Sequence, residues 1–284
     1  MSDRIQILMC GNDNVFRGML LSVMSITKHC GRAIDLYIGT MDLSDKDERY
    51  LPITEDGRKI VESSLREANP ESRAYLLDFG ESFRRELIDS KNLVSAYTPY
   101  AMIRLFADEI YDMVGDKLLY LDTDVMAKGD ISELYSVDVS DVHLAGSYDY
   151  FGKFFFFHVS RRYLNSGVFL FNMKKMVEDG VFKKCRVLCN ERRMLLFDQH
   201  ALNIYAKRKR TLPRRFNEQR KTKRNTLLRH FAMTIIWFPY FHTQTVKPWD
   251  RELMHGILNE HDFDDIYEKY DRIKEESRDL KVKM

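Results

Sequence analysis

No two glycines in this chain stand two residues apart. The thirteen glycines are scattered singly, so a Gly-x-Gly-x-x-Gly dinucleotide turn and a Walker loop are both missing. A phosphate bound here would lack a glycine cradle, and a metal or a basic side chain would have to neutralise it. Cysteine is scarce and unpaired: Cys10, Cys30, Cys185 and Cys189 form no Cys-x-x-Cys. That argues against a disulfide framework or a cysteine zinc site and predicts a reduced, cytoplasmic protein. Long apolar runs are missing too. The richest stretch, Phe231 to Phe241, is interrupted by Thr234 and Pro239 and is too short to cross a bilayer. Ile5-Gln-Ile-Leu-Met-Cys10 reads as a first strand rather than as part of a signal peptide. The expected location is the cytoplasm, with peripheral contact at the inner face of the membrane as the furthest excursion.

What is present is globular. The 284 residues are 44% hydrophobic and 31% charged, enough for one large domain with a full core. The net charge of +2 hides an asymmetry: between 207 and 229 eleven basic residues face one acid, Glu218. Such a block suits phosphate, an anionic membrane surface or nucleic acid, or is a solvated loop.

Strand and helix signals alternate through the first half. Ile5–Met9, Ile34–Ile38, Tyr75–Phe79 and Leu118–Leu121 read as strands. Val15–His29, a charged run over 44–68 and Pro99–Ile110 read as helices, the first ended by Gly31. The rhythm predicts an α/β fold with an open, mostly parallel sheet, in which ligands gather beyond the carboxyl ends of the strands. Later, Val142–Ser147 and Val168–Phe171 read as strands. Lys174–Cys189, Asp198–Tyr205 and a stretch from about Phe263 read as helices.

The most informative feature is Asp122-Thr123-Asp124, directly after the apolar run Leu118–Leu121. Alternation along a strand sets both carboxylates on one face. Two carboxylates there repel unless a cation neutralises them, and a hard divalent ion does so while bringing a phosphate-bearing substrate. Two other Asp-x-Asp copies, Asp45–Asp47 and Asp262–Asp264, lie in charged stretches. Three further segments accompany it. Asn165-Ser166-Gly167 is expected to precede a strand, where an amide can hydrogen-bond sugar hydroxyls or simply make a turn. Asp198-Gln199-His200-Ala-Leu-Asn203 opens a helix, with Asp198 as an N-cap or as a sugar ligand. His242 stands five residues before Lys247-Pro248-Trp249.

In this order the four segments resemble glycosyltransferase family 8, including its lipopolysaccharide galactosyl- and glucosyltransferases and glycogenin. The similarity takes in Cys10-Gly-Asn12-Asp-Asn14 and Thr98…Arg104-Leu105, from about residue 5 to 250. Three departures stand out. The family pattern His-x-x-Gly-x-x-Lys-Pro-Trp has one more residue and a glycine before the lysine. His200 replaces a second aspartate, and Asn12 stands where an aspartate often contacts uracil.

The resemblance implies a GT-A fold over 1–250. A nucleotide half would span about 1–127, a sugar and acceptor half about 128–250, and a C-terminal helical extension 251–284. It also implies a retaining, metal-dependent transfer of glucose or galactose from a UDP-sugar to a glycan, lipid-linked or protein acceptor, such as a lipopolysaccharide core or cell-wall glycan. Asp122, Asp124 and His242 would hold Mn²⁺ or Mg²⁺. His230 and His255 fall outside the Lys247-Pro248-Trp249 segment. Cys10, Asn12, Asn14, Arg104, Thr123, Asn165, Ser166, Asp198, Gln199 and Lys247 would complete the donor site, with Gln199 and Asp198 nearest the chemistry. An amide is a poor nucleophile, which favours front-face displacement over double displacement. Residues 207–224 would meet an anionic acceptor or membrane, and no nucleic acid is expected. Two rival readings are a haloacid-dehalogenase-like phosphatase using Asp122 and a non-catalytic nucleotide-sugar or anion-binding protein.

Overall fold

The computed structural model describes residues 4–93, 98–278, 280 and 282–284. The chain opens with β1 (Ile5–Cys10), α1 (Phe16–His29), β2 (Ile34–Thr40), α2 (Glu55–Ala68), β3 (Arg73–Asp78) and α3 (Gly80–Leu87). The charged run over 44–68, whose helix Pro52 and Gly57 are expected to interrupt, is helical only after Pro52, from Glu55, and continues through Gly57. Pro52 disfavours helix at the residue before it, and the Thr54 hydroxyl then caps the helix by accepting from Gly57 N at 3.2 Å.

Residues Pro99–Ile110 are helical as expected, and they wind as a 3₁₀ helix. They are buried on nearly every side, and packing overrides the preference for the wider turn. Next come α4 (Tyr111–Val114), β4 (Lys117–Leu121), β5 (Val125–Ala127), α5 (Ser132–Tyr135), β6 (Leu144–Tyr148), α6 (Gly152–Phe155) and β7 (Leu164–Asn172). Strand β7 starts four residues earlier than its apolar run, so Asn165, Ser166 and Gly167 lie inside the strand rather than before it.

The helix expected over 174–189 is two: α7 (Met173–Glu178) and α8 (Val181–Glu191). Gly180, at φ 59°, takes the left-handed conformation between them. The chain closes with α9 (Phe197–Tyr205), β8 (Lys209–Leu212), β9 (Leu228–His230), the hairpin β10 (Thr234–Ile236) and β11 (His242–Gln244), α10 (Arg251–Gly256) and α11 (Asp264–Glu276).

Seven strands form one sheet in the order β3-β2-β1-β4-β7-β6-β8. β3, β2, β1 and β4 run parallel; β7 is antiparallel to both neighbours, and β8 is parallel to β6. The middle strand, β4, is therefore where the pairing changes, parallel to β1 on one side and antiparallel to β7 on the other. Two cores cover its faces. One joins α1 and α2 with Phe231, Phe263, Ile266 and Tyr267, so α11 packs into it. The other joins the 3₁₀ helix, α3, α8 and α9. Leu118, Leu119, Tyr120 and Leu121 are all but fully buried. At about 1.5–3 kcal/mol per buried large aliphatic side chain, they anchor the strand that carries the two carboxylates.

Candidate active site

The site grows from the end of β4. Asp122 N donates to Gly167 O at 2.9 Å, tying the carboxylate segment to β7. Just beyond, β5 pairs antiparallel with β9, and the register sets Val125 opposite His230. This pairing brings the imidazole to the carboxylates. His230 Nε2 lies 3.3 Å from Asp124 Oδ1 and 3.8 Å from Asp122 Oδ2. Its Nδ1 faces Asn217 Oδ1 at 3.2 Å, which orients the ring and leaves Nε2 toward the acids. Gly167 makes room, since a Cβ there would sit 2.2 Å from the imidazole.

His242 is not brought to this group. It lies on β11, with Nδ1 facing Tyr240 O at 3.0 Å. The expectation that it joins Asp122 and Asp124 is therefore corrected: His230 stands there instead. Among the described residues Asp122, Asp124 and His230 form one of two clusters close enough to hold a metal. The other, His255 and His261 with Asp264, lies around the start of α11, and both its histidines face the Asp264 carboxylate.

Asp124 is buried, and its Oδ1 has no hydrogen-bond partner. The 3.3 Å approach of His230 is thus an ion-pair distance without a completed hydrogen bond. Oδ2 takes the Lys247 ammonium, which also donates to Phe231 O at 3.2 Å. Burial opposes ionisation, but Lys247 and His230 outweigh it and hold the carboxyl well below its ordinary range. A buried carboxylate oxygen without a donor, beside a second carboxylate and an oriented imidazole, suits a divalent cation with oxygen and nitrogen ligands.

Asp122 is held differently. Its Oδ1 accepts from Arg104 Nη2 at 2.8 Å and from Tyr120 OH at 2.7 Å. The guanidinium lies over the Tyr120 ring at 4.2 Å and donates to Ser166 O at 2.8 Å. Burial works against the Arg104 charge, yet Asp122 and its other neighbours raise its pKa. Arg104 Nε also approaches Asp198 Oδ2 at 3.2 Å. Asp198 is not the helix cap, because α9 begins at Phe197 and Leu196 makes no side-chain cap bond. Asp198 is buried, and burial pushes its pKa up against the pull of Arg104.

Gln199 accepts from Ser166 N at 2.8 Å and donates to Asp149 Oδ2 at 3.1 Å. Asn165 donates to the same oxygen at 2.9 Å. Asp149 thus gathers the side-chain amides of Asn165 and Gln199 on one oxygen. It was missed in the sequence, although an acid directly after the 142–147 strand was a legible signal. Asn217 and Tyr120 carried no such signal. His200 turns away to Tyr163, and Asn203 clamps the start of β7 through Leu164 N and O at 2.8 Å each. At the end of β1, Cys10 is buried, and burial raises its thiol pKa. Asn12 and Asn14 both donate to Arg49 O, at 3.2 and 2.7 Å. Thr123 is buried between the two acids, and its carbonyl faces Gly18.

The 207–229 block divides. Lys209 and Arg229 are buried, whereas Arg220, Lys221, Lys223 and Arg224 are exposed. No described helix is long and apolar enough to cross a membrane.

The sheet and its carboxylate-bearing switch point define a GT-A fold. The galactosyltransferase LgtC, solved with donor and acceptor sugar analogs, is 21% identical, with a TM-score of 0.69 over 96% of this chain and 99% of that one. The glycosyltransferase GlyE of Streptococcus pneumoniae TIGR4 is 18% identical, with a TM-score of 0.61 over 99% of this chain and 65% of that one. The chain belongs to glycosyltransferase family 8, whose model, Glycosyl transferase family 8, matches residues 6–252. The curated Glycosyltransferase GlyF of Streptococcus pneumoniae serotype 4 is 23% identical over 197 residues, or 68% of this chain. That match covers 44% of GlyF, so the chain spans less than half of that relative's length.

Proposed function

We propose that this glycosyltransferase moves a hexose, glucose or galactose, from a UDP-sugar to a glycan or lipid-linked acceptor, with retention and with a divalent metal. The observation that carries the reading is the unpartnered Asp124 Oδ1 beside Asp122 and His230, with Lys247 on the other oxygen of the same carboxylate. Asp122, Asp124 and His230 would hold Mn²⁺ or Mg²⁺, which, when bound, stabilises negative charge on the departing diphosphate.

The residues of the chain supply the rest. Lys247 exchanges its Asp124 contact for a phosphate oxygen and adds a second positive charge where the leaving group develops its own. Arg104, locked by Asp122, Tyr120 and Ser166 O, keeps the carboxylate pair fixed and turns one N–H toward Asp198. Asp198, Asn165 and Asp149 provide the carboxylate and amide groups that hold sugar hydroxyls. Gln199 is fixed at both ends of its amide and serves as a positioning group rather than a nucleophile. That favours front-face displacement, in which the leaving phosphate takes the acceptor proton. One LgtC structure carries an active-site glutamine-to-glutamate change, and Gln199 is the residue we match to that role. Asn12 and Asn14, braced on Arg49 O, border the nucleotide end.

Thermal shift with Mn²⁺ and UDP tests the reading: together they should stabilise the fold more than either alone, because Asp122, Asp124 and His230 would hold the metal and its charge would favour the diphosphate there. UDP-glucose or UDP-galactose should be slowly hydrolysed. Turnover of phosphatase substrates without nucleotide-sugar hydrolysis would overturn it. UDP–metal binding with no hydrolysis or transfer would leave a binding protein.

A further inference from the structure

The family pattern implies six residues from the metal histidine to the lysine, yet His230 stands seventeen positions before Lys247. The added chain is the β10–β11 hairpin, so both feet of the hairpin stand on candidate ligands of the site. Its tip reads Trp237-Phe238-Pro239-Tyr240-Phe241, with Trp237 59%, Phe238 85%, Tyr240 67% and Phe241 62% exposed. Across a cleft of about 370 Å³ lie Tyr150, Phe151, Phe154 and Phe155, and the Phe155 and Trp237 rings stack at 6.4 Å. Phe154 and Phe157 are likewise about two-thirds exposed. Arg220 lines the same cleft, lies over Tyr150 and donates to its hydroxyl at 2.6 Å. It begins the exposed basic stretch Arg220–Arg224.

Soluble chains seldom expose this many large aromatic rings within so short a span of two segments, here 154–157 and 237–241, without a partner. A sugar platform sets one or two rings among hydrogen-bonding groups, whereas Phe154, Phe157, Phe238 and Phe241 offer no polar atom. Bare phenyl rings, a Trp and a Tyr beside a cluster of cations match the interface of an anionic bilayer, where aromatic rings sit at headgroup depth and basic residues meet lipid phosphate. We propose that the hairpin tip, Phe154, Phe157 and the Arg220–Arg224 loop dock this face of the protein on an anionic phospholipid surface. Resting on the function proposed above, this makes the acceptor a lipid-anchored glycan, presented at the mouth of the site. Docking narrows to residues 220–224 the part of the 207–224 block that meets the membrane.

Co-sedimentation of the full chain with phosphatidylcholine vesicles, with and without phosphatidylglycerol, tests the proposal. Binding should need the anionic lipid and weaken by about tenfold or more as salt is raised past a Debye length of a few Å. The double variant Phe238→Ser/Phe241→Ser, and separately Lys221→Glu/Arg224→Glu, should each lose at least about tenfold in vesicle affinity. Trp237 emission should shift blue on anionic vesicles, a shift that Trp237→Phe removes although Trp249 remains. Wild-type protein that stays off the vesicles, or variants that bind as wild type does, would overturn the proposal. So would a blue shift with soluble oligosaccharide and none with vesicles, which would make the tip a sugar platform. Nucleotide-sugar hydrolysis is read alongside and should be unchanged in the tip variants. Vesicle binding lost in the variants but hydrolysis missing in every protein would leave docking standing and sink the transferase reading. Hydrolysis without vesicle binding would do the reverse.

Discussion

Strand β9 with Asn217 and Glu218, and the β10–β11 hairpin that follows it, are near neighbours in sequence and behave oppositely. In the first segment Asn217, Glu218, Arg229 and His230 are buried, and β9 is held across from β5. In the second, β10 and β11 pair only with each other, and the tip between them is exposed. Each segment carries one histidine. His230 gains Asn217, Asp122 and Asp124 because a strand pairing carries it to them. His242 sits closer to Lys247 in sequence but meets its own hairpin, with Tyr240 O and the Tyr240 ring beside it and Ile236 across the pair. Nearness to a motif along the chain does not decide chemistry; the register of a long-range pair does.

The sharpest way to break this comparison is to exchange the two histidines' fates. His230→Ala should weaken Mn²⁺ binding far more than about tenfold, since loss of outer-shell partners alone costs about 10–100-fold. Transfer should fall with it. His242→Ala should match wild type in both. Mn²⁺ titration by calorimetry checks each, and equal losses in the two variants would return His242 to the site.

A second break leaves every candidate ligand in place. Gly167→Ala builds a methyl 2.2 Å from the His230 ring. The ring must move, so Mn²⁺ affinity should fall by about tenfold, with a stability cost of about 1–3 kcal/mol from overpacking. Gly31→Ala, where a Cβ meets nothing within 4 Å, is the matched control. Unchanged metal binding in Gly167→Ala would mean that the ring position does not matter.

The same contrast marks what the sequence could say. Strands β1 to β4 are legible because apolar runs bounded by turns are local signals, and the α/β class follows from their rhythm; the GT-A fold follows only from the resemblance of the ordered motifs to glycosyltransferase family 8. Asp122, Asp124, Arg104, Asn165, Asp198, Gln199 and Lys247 were named, and the fold links them through contacts to Ser166, Asp149 and one another. His242 was misplaced because the pairing that matters joins Val125 to His230, 105 positions apart, and β9 is only three residues long. Asp149 is legible as an acid just past a strand, but its partners Asn165 and Gln199 come to it only where β6 meets β7 and α9. Gly180 split a predicted helix through a left-handed turn that no periodicity reveals.

Asn217 sharpens the comparison one step further out. Asn217→Leu keeps bulk but removes the acceptor facing His230 Nδ1. The imidazole loses its preferred tautomer and orientation, so Mn²⁺ affinity should drop by about tenfold while UDP binding without metal stays unchanged. A variant with wild-type Mn²⁺ affinity would show that the strand pairing alone orients the ring.

The smallest expected effect concerns the basic block, whose two halves repeat the contrast between built-in and exposed. Lys209 is buried and donates to Ser160 Oγ, Asn203 O and Asn203 Oδ1, all neutral oxygens. Burial lowers its pKa to about 8, with Lys207 and Arg162 adding to the effect. The unfolded chain holds that proton up to about pH 10.4. Between those values the unfolded state binds more protons than the folded one, so Lys209 makes stability rise with pH, by at most about 1.4 kcal/mol per unit. Below about pH 8 the folded protein carries the full penalty of a buried charge. Lys209→Met removes this term, so its Tm relative to wild type should fall steadily from pH 8 to 10, by roughly 2–4 °C per unit at most. Lys221→Met, on the exposed half, should track wild type across the same range. Parallel melting curves for Lys209→Met and wild type would show that the Lys209 ammonium is solvated after all, and the built-in half of the block would lose its distinction from the exposed one.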